Sequence, residues 1–128
     1  MTDARPDPRC RIAEVLDVFK GRWKGEIIAA LRQSPMRFNA LRAQLPAVSA
    51  RTLSESLRGL ERDGVVTRTE HPDASPNVDY ALSPRGQELV PLLETIDAWG
   101  EAHLGCVAAC REAYDHAQNG QAGPPASA

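Results

Sequence analysis

The chain has 128 residues, a formal net charge of −2 at pH 7 and a sequence pI of about 5.9. This length is typical of one domain with its own core. The weakly acidic charge argues against a protein that coats nucleic acid indiscriminately, because such a protein needs a broad basic surface. The N-terminus is polar, and the longest apolar run, Ile27 to Leu31, is too short to cross a bilayer. We therefore expect a cytoplasmic protein with no membrane partner, whose three cysteines are reduced.

Two short helices are predicted early in the chain, after a polar N-terminus over residues 1–9 that we expect to be flexible. The first covers residues 11–20, and the second covers residues 24–33, after Gly21 and before Pro35. An amphipathic helix of this kind packs its apolar face against a core or a partner. The apolar face of the first helix consists of Ile12, Val15, Leu16 and Phe19.

Two helices separated by a tight turn are predicted next, over residues 38–45 and 49–63. Pro46 ends the earlier helix. Ser49 is suited to cap the later one, since its hydroxyl can accept a hydrogen bond from an amide of the first turn. Gly64 can adopt the left-handed conformation that ends a helix. The later helix has one apolar stripe, formed by Leu53, Leu57 and Leu60.

A β-hairpin is predicted over residues 65–82. Residues 65–70 are rich in β-branched side chains, residues 71–77 form a loop with two prolines, and residues 78–82 alternate as a half-buried strand does. Helix, turn, helix and hairpin in this order are typical of a winged helix-turn-helix. We predict a mainly α fold with a small β-hairpin wing and with N- and C-terminal dimerisation helices, all in one domain over residues 10–116.

The later helix of the pair has the width and the chemistry to enter a DNA major groove. Arginine can pair bidentately with guanine edges, and serine and threonine can contact bases or phosphates. Between Arg37 and Arg68, six arginines oppose three acidic residues, so the local charge balance is +3. The alternative is an ordinary solvated helix face. The predicted DNA-binding residues are Arg37, Ser49, Arg51, Thr52, Ser56, Arg58, Arg68 and Asn77.

A long helix is predicted over residues 84–112, because Ser83 and Pro84 form a preferred helix start. Pro91 should bend this helix or split off its first turns, and the tail over residues 117–128 is expected to be disordered. Along the helix, apolar and soft side chains recur at spacings of three and four, as in a helix–helix seam. The stripe consists of Leu89, Leu92, Ile96, Trp99, His103, Cys106 and Cys110.

One small domain cannot easily bury so long a stripe, which predicts that a second copy of the chain covers it. A two-fold homodimer would present two recognition helices about 34–36 Å apart, one DNA turn, and would favour symmetric operators. The predicted interface residues are Ile12, Leu16, Leu92, Ile96, Trp99, His103 and Cys106.

Cys10 is a candidate redox sensor. Arg9 and Arg11 flank it and it precedes the first predicted helix, and both features favour a reactive thiolate. The alternative is an inert thiol at the start of a helix. We expect a small electrophile or an oxidant as the effector if Cys10 is the sensor.

A metal site and an enzyme active site are both disfavoured. His103, Cys106 and Cys110 share one helical face, but an offset of seven positions from the first to the last spans about 10 Å, too far for one small ion. A packed seam is preferred, with a regulatory disulfide of Cys106 or Cys110 left open. The sequence has no Gly-rich phosphate loop, nucleophile elbow or paired carboxylates. We therefore expect no metal, no cofactor and no catalytic residue.

Several short motifs lie at separate places along the chain: Gly21-Arg22-Trp23, Arg37-Phe38-Asn39-Ala40-Leu41, Leu45-Pro46, Asp63-Gly64, Val78-Asp79-Tyr80-Ala81-Leu82 and Trp99-Gly100. In combination, they resemble the HxlR-type winged helix-turn-helix regulators of bacteria, within the MarR-like superfamily, over about residues 10–102. The resemblance implies homodimeric transcription factors, many of which respond to electrophiles, aldehydes or oxidants. It also implies a sensing role for Cys10, because several members have a sensing cysteine just before the first helix.

Two positions depart from the family pattern. Lys24 and Gly25 follow Trp23 where the family usually has Thr or Ser and then apolar residues, which indicates a later helix start or an extra phosphate contact. Asn77 stands at the wing where the family usually has Arg or Lys, so the resemblance supports a minor-groove contact there less well.

The sequence thus predicts a DNA-binding transcriptional regulator, a repressor that binds a near-palindromic operator as a homodimer and is switched by thiol chemistry. Two alternatives stay open. The fold could be a module for protein contacts, or the regulator could respond to a small hydrophobic ligand bound between the dimer helices. Salt dependence separates DNA binding from an apolar protein contact, because only phosphate contacts release counterions.

Overall fold

The structure is a computed structural model that describes residues 8–71 and 78–119, without the side chains of residues 8–10. It has the predicted mainly α architecture with a small β-sheet. The elements are α1 (Pro8–Val18), α2 (Lys24–Leu31), β1 (Met36–Arg37), α3 (Phe38–Gln44), α4 (Ala50–Arg62), β2 (Val66–Glu70), β3 (Val78–Leu82) and α5 (Pro84–Gln118).

The chain divides into two compact units, residues 1–90 and residues 91–128. The first unit contains a buried aliphatic core to which α2, α3, α4 and β2 contribute. The second unit consists, as far as it is described, of the remainder of α5, and most of its side chains are exposed. The fully buried core side chains are Ile27, Ile28, Leu31, Leu41, Leu53, Leu57, Leu60, Val65 and Val66.

The sheet has three antiparallel strands in the order β1-β3-β2. β3 pairs with β2 from Val66 opposite Leu82 to Glu70 opposite Val78, which confirms the predicted hairpin strands. β1 was not predicted. It contains only two residues, of which Met36 lies opposite Tyr80, and its pairing joins parts of the chain that are far apart in sequence.

Both ends of α4 form as predicted. At its N-terminus, the Thr52 amide donates to Ser49 Oγ at 3.1 Å, so Ser49 is the cap. At its C-terminus, Gly64 has φ +78°, its amide donates to the Glu61 carbonyl, and the Val65 amide donates to the Leu60 carbonyl. This pair of hydrogen bonds is a Schellman motif. The helix that carries the candidate contact residues is therefore fixed at both ends.

Hydrogen bonds join the start of α5 to the turn that follows α4. The Gly86 amide donates to Ser83 Oγ at 3.0 Å, and the Ser83 hydroxyl donates to the Gly64 carbonyl at 2.6 Å. A Cβ on Gly86 would lie 2.2 Å from the Val65 carbonyl oxygen, so only glycine permits this approach. The predicted helix start at Ser83 and Pro84 is confirmed.

Three predicted boundaries at the N-terminal side need correction. α1 begins at Pro8, because proline is well accepted in the first turn of a helix. Residues 8 and 9 thus lie in α1, and Cys10 lies within the first turn rather than before the helix. α1 also ends at Val18, two residues before the predicted end. α2 begins at Lys24, as predicted, and ends at Leu31, two residues before its predicted end.

α5 is longer and less interrupted than predicted. It runs as one helix through Pro91 and is not split there, since helical structure is retained on both sides of the proline. It ends at Gln118 rather than near residue 112, because no glycine or proline intervenes before Gly120. The remainder of the predicted disordered tail (120–128), the start of the predicted flexible N-terminus (1–7) and the wing loop (72–77) lie outside the described residues.

Within the described ranges, none of the helices is both long enough and apolar enough to cross a membrane.

Candidate nucleic-acid interface

One face of α4 is exposed and rich in arginine. The apolar residues of this helix point into the core, and helical spacing places four charged residues on the opposite side. All four are exposed: Arg51, Glu55, Arg58 and Arg62. α4 is therefore a capped, amphipathic helix whose outer face presents three guanidinium groups and one carboxylate.

Arg51 is paired along this face with Glu55. Its Nε lies 3.1 Å from Glu55 Oε2, one helical turn away, while 87% of the Arg51 side chain remains exposed. Pairs of this kind contribute little free energy in water. The pair therefore orients the guanidinium without preventing it from exchanging the carboxylate for another acceptor, such as a guanine edge.

The other predicted contact residues of α4 differ in their availability. The Ser49 hydroxyl, besides capping the helix, donates to Thr52 Oγ1 at 3.1 Å, so the two hydroxyls are already linked. Ser56 is half-buried beside the core. Arg58 is exposed and makes no ion pair with any other residue that the structure describes. Arg58 is thus the most available guanidinium among the predicted groove contacts.

A carboxylate on the central strand connects β1 with the wing. Asp79 Oδ1 lies 3.6 Å from Arg37 Nε, and Asp79 Oδ2 lies 2.9 Å from His71 Nε2. Arg37 is directly opposite Asp79 in the β1–β3 register. Asp79 therefore orients Arg37, which remains 62% exposed at the beginning of α3.

Arg68 lies on β2 opposite Tyr80 and is paired with an acid on its own strand. Its Nη1 donates to Glu70 Oε2 at 2.8 Å. This hydrogen bond and a second one that involves Tyr80 raise the pKa of Arg68 above its ordinary value. Arg68 is a cation on the wing, as a backbone contact requires, and the Glu70 carboxylate lies beside it.

The sequence located most of these groups but missed their acidic partners. The structure describes every predicted contact residue except Asn77, which lies outside the described residues. Arg37, Arg51 and Arg68 each have a carboxylate within 4 Å. The spacing of Arg51 and Glu55 could have indicated one of these pairs. The approach of Asp79 to Arg37 depends on strand pairing and could not be read from local sequence.

The predicted interface residues are exposed in the single chain. In the first unit, Ile12 is 60% and Leu16 is 48% exposed. In the second unit, Trp99 is 56% exposed, and the centroid of its ring lies 4.7 Å from the centroid of the His103 ring. The remaining exposed members of the α5 stripe are Leu92, Ile96, Cys106 and Cys110.

Cys106 and Cys110 are free thiols. In the part of the chain that the structure describes, no three His, Cys, Asp or Glu side chains come together in a way that could hold a metal ion. Cys10 lies in the first turn of α1, but its side chain is not described, so its sensing role stays a prediction.

Comparison with known proteins agrees with this geometry. A family model described as HxlR-like helix-turn-helix matches residues 18–107. The uncharacterized HTH-type transcriptional regulator YdeP of Bacillus subtilis is 35% identical over 109 residues, which cover 83% of this chain and 85% of YdeP.

Two solved structures, one of a redox regulator and one of a quinone-bound protein, are also similar to this chain. The redox regulator HypR in its reduced form has a TM-score of 0.72 at 32% identity and covers 77% of this chain and 98% of its own. Quinone-bound YodB of Bacillus subtilis has a TM-score of 0.63 at 27% identity and covers 73% of this chain and 98% of its own. The chain belongs to the HxlR-like helix-turn-helix family, as its motifs predicted, and is a transcriptional regulator with a winged helix-turn-helix fold.

Proposed function

We propose that this regulator is a repressor that binds a near-palindromic operator as a homodimer, with α4 in the major groove. The proposal rests on the outer face of α4, which carries arginine side chains. The helix itself is capped at both ends, and three leucines on its inner side pack into the core. A rigid helix places Arg51 and Arg58 at fixed positions relative to base edges, which is the condition for reading sequence directly. Arg37 and Arg68 would contact the DNA backbone on either side.

The homodimer is supported by the exposed apolar stripe of α5 and by the exposed face of α1. Side chains such as Trp99 and Ile96 are unfavourable in water, and a contiguous stripe of them marks an interaction surface. A second copy of the chain offers an identical stripe, so a two-fold seam would cover both. Such a dimer would place two α4 helices on one face of the DNA, about one turn apart.

Regulation by thiol chemistry is supported by the position of Cys10 and by the similar structures. Cys10 lies in the first turn of α1, where unpaired amides favour a thiolate. HypR is described as a redox regulator and has reduced and oxidized forms, and YodB has a quinone-bound form. We propose that oxidation or alkylation of Cys10 releases the DNA.

A fluorescence-anisotropy titration tests the proposal. The reduced protein is added to DNA from upstream of its own gene and to a scrambled duplex of equal length, each at several salt concentrations. We expect tighter binding to the upstream DNA, with an affinity that falls steeply as salt rises. Equal, salt-insensitive binding to both duplexes would contradict DNA recognition and favour a protein-contact module.

Control by a small hydrophobic ligand is the second candidate for regulation. The exposed apolar side chains of α5 could line a pocket between two copies. The same titration after mild oxidation separates the two: release points to a thiol switch, whereas selective binding that resists oxidation points to a ligand.

A further inference from the structure

Lys24, the first residue of α2, lies against Gly59 in the C-terminal half of α4. A Cβ at position 59 would be 2.9 Å from Lys24 Nζ and 3.1 Å from Lys24 Cε. The end of the lysine side chain therefore occupies space that a larger residue would fill. A positive charge from another helix is in this way placed directly on the side of the candidate recognition helix.

Glycine at position 59 is unfavourable for helix stability, and the nearby Lys24 side chain explains why a glycine is present there. Glycine in a helix interior lowers stability relative to alanine, because it loses more backbone freedom on folding. Position 59 lies three residues before the end of a helix that is otherwise well capped. What glycine provides here is room for the Lys24 ammonium group beside the α4 backbone.

The Lys24 ammonium group has no anionic partner within the described residues. Glu55 and Asp63 lie one turn before and one turn after Gly59, yet neither forms an ion pair with Lys24. Arg37, in contrast, already has a carboxylate. Lys24 is half-buried as a residue. A lysine in this environment without an ionic partner is poorly compensated for any hydration it loses, and it gains from an anion that arrives with a ligand.

We propose that Lys24 contacts a DNA phosphate, and that Gly59 provides the space in which the end of the Lys24 side chain lies against the flank of α4. Gly59 is about 12 Å along the helix axis from Arg51, and a B-DNA major groove is about 12 Å wide. With Arg51 among the bases and the axis of α4 running across the groove, a cation beside Gly59 would lie at the sugar-phosphate strand that borders the groove. A compact ammonium group suits phosphate as a point charge. This inference rests on the proposed function, because it requires α4 to lie in the groove.

Four variants test the inference: Lys24→Ala, Lys24→Arg, Gly59→Ala and the double variant Lys24→Ala/Gly59→Ala. Each is titrated on upstream and scrambled DNA across a salt series, and its thermal unfolding is recorded. We expect Lys24→Ala to weaken binding to both duplexes about fourfold to eightfold per protomer at 0.1–0.2 M salt. The slope of log affinity against log salt should become shallower by about 0.9 per protomer. Lys24→Arg keeps the charge and should retain most of the affinity.

Gly59→Ala should separate DNA binding from stability. The added Cβ meets only the flexible end of Lys24, so the fold tolerates it and the melting temperature should stay the same or rise. DNA affinity and the salt slope should nevertheless fall, because Lys24 is displaced. In the Lys24→Ala background, the same substitution should cause no further loss of affinity.

Three outcomes would overturn the inference. An unchanged salt slope in Lys24→Ala would show that Lys24 does not contact a phosphate. A lower melting temperature with normal DNA binding would show that Lys24 has a structural role. If Gly59→Ala lowers DNA affinity equally in the presence of Lys24 and in the Lys24→Ala background, Gly59 does not act by making room for Lys24. If the unsubstituted protein shows no salt-dependent binding, the proposed function fails first, and this inference fails with it.

Discussion

Gly86 approaches the Val65 carbonyl so closely that a Cβ at position 86 would lie 2.2 Å from the carbonyl oxygen. Ser83, three residues earlier, donates its hydroxyl to Gly64 and accepts the Gly86 amide. The turn that ends α4 and the turn that begins α5 are therefore in direct backbone contact. This contact lies directly after the C-terminal end of the candidate recognition helix.

Gly86→Ala should lower the free energy of unfolding by about 1–3 kcal/mol, the usual cost of forcing extra volume into packed structure. The clashing atom belongs to the backbone, which cannot move aside as a flexible side chain does. Urea unfolding followed by circular dichroism measures the change.

Gly105→Ala is the matched control. This glycine is also in α5, and a Cβ added to it would meet no neighbouring atom of the described residues within 4 Å. The exchange should be neutral or stabilising by up to about 1 kcal/mol, since alanine favours helix. Equal destabilisation by both substitutions would contradict the importance of the Gly86 contact.

Ser49→Ala should destabilise the protein by about 1 kcal/mol, because it removes the hydrogen bond that Ser49 Oγ accepts from the Thr52 amide. Ser49→Asp should restore stability, since aspartate is also a good cap. It should not restore DNA affinity, because a carboxylate at this position repels phosphate. Thermal unfolding and anisotropy titrations of the two variants would provide the comparison; full DNA binding by Ser49→Asp would place Ser49 away from the DNA.

Arg51→Ala should reduce base preference at one operator position by about 1–3 kcal/mol, because a guanidinium in the groove reads a base edge. Arg68→Ala should weaken binding to all sequences alike, as loss of a backbone contact does. Affinities for a set of single-base operator variants distinguish the two effects. Arg111→Ala, an exposed residue of α5 distant in sequence from the proposed contacts, serves as the control. Equal, sequence-independent losses for Arg51→Ala and Arg68→Ala would exclude Arg51 as a base reader.

Cys10→Ser should keep DNA affinity but lose release by a quinone or a mild oxidant, since serine cannot form the thiolate that reacts. The measurement is the anisotropy of preformed complexes during titration with the electrophile. Cys106→Ser and Cys110→Ser are assayed in parallel. Unimpaired release of Cys10→Ser would contradict the sensing role of Cys10, and loss of release in either α5 variant would assign the sensor to the long helix.

The parts of the fold that follow from local chemistry were predictable. The bounds of α4 agree with the prediction because Ser49 supplies a cap and Gly64 supplies the left-handed residue that ends the helix. The hairpin strands agree because their β-branched and alternating patterns are local signals. Neither feature depends on residues that are distant in sequence.

The parts that depend on tertiary contacts were not predictable. β1 exists only because Met36 meets Tyr80, and two residues give no periodic signal. The position of Asp79 beside Arg37 requires knowledge of strand order. The approach of Lys24 to Gly59 joins two helices, and in the sequence it is visible only as an unusual lysine and an unusual glycine.

Hydroxyl-radical footprinting of the reduced protein on its own upstream DNA tests the central claim most directly. If a dimer places two α4 helices in successive major grooves, two protected backbone tracts should appear, with centres about 10 base pairs apart and two-fold symmetry. Their positions should not change in Arg111→Ala. A single protected tract, or uniform weak protection without preferred positions, would contradict recognition of a symmetric operator by a homodimer.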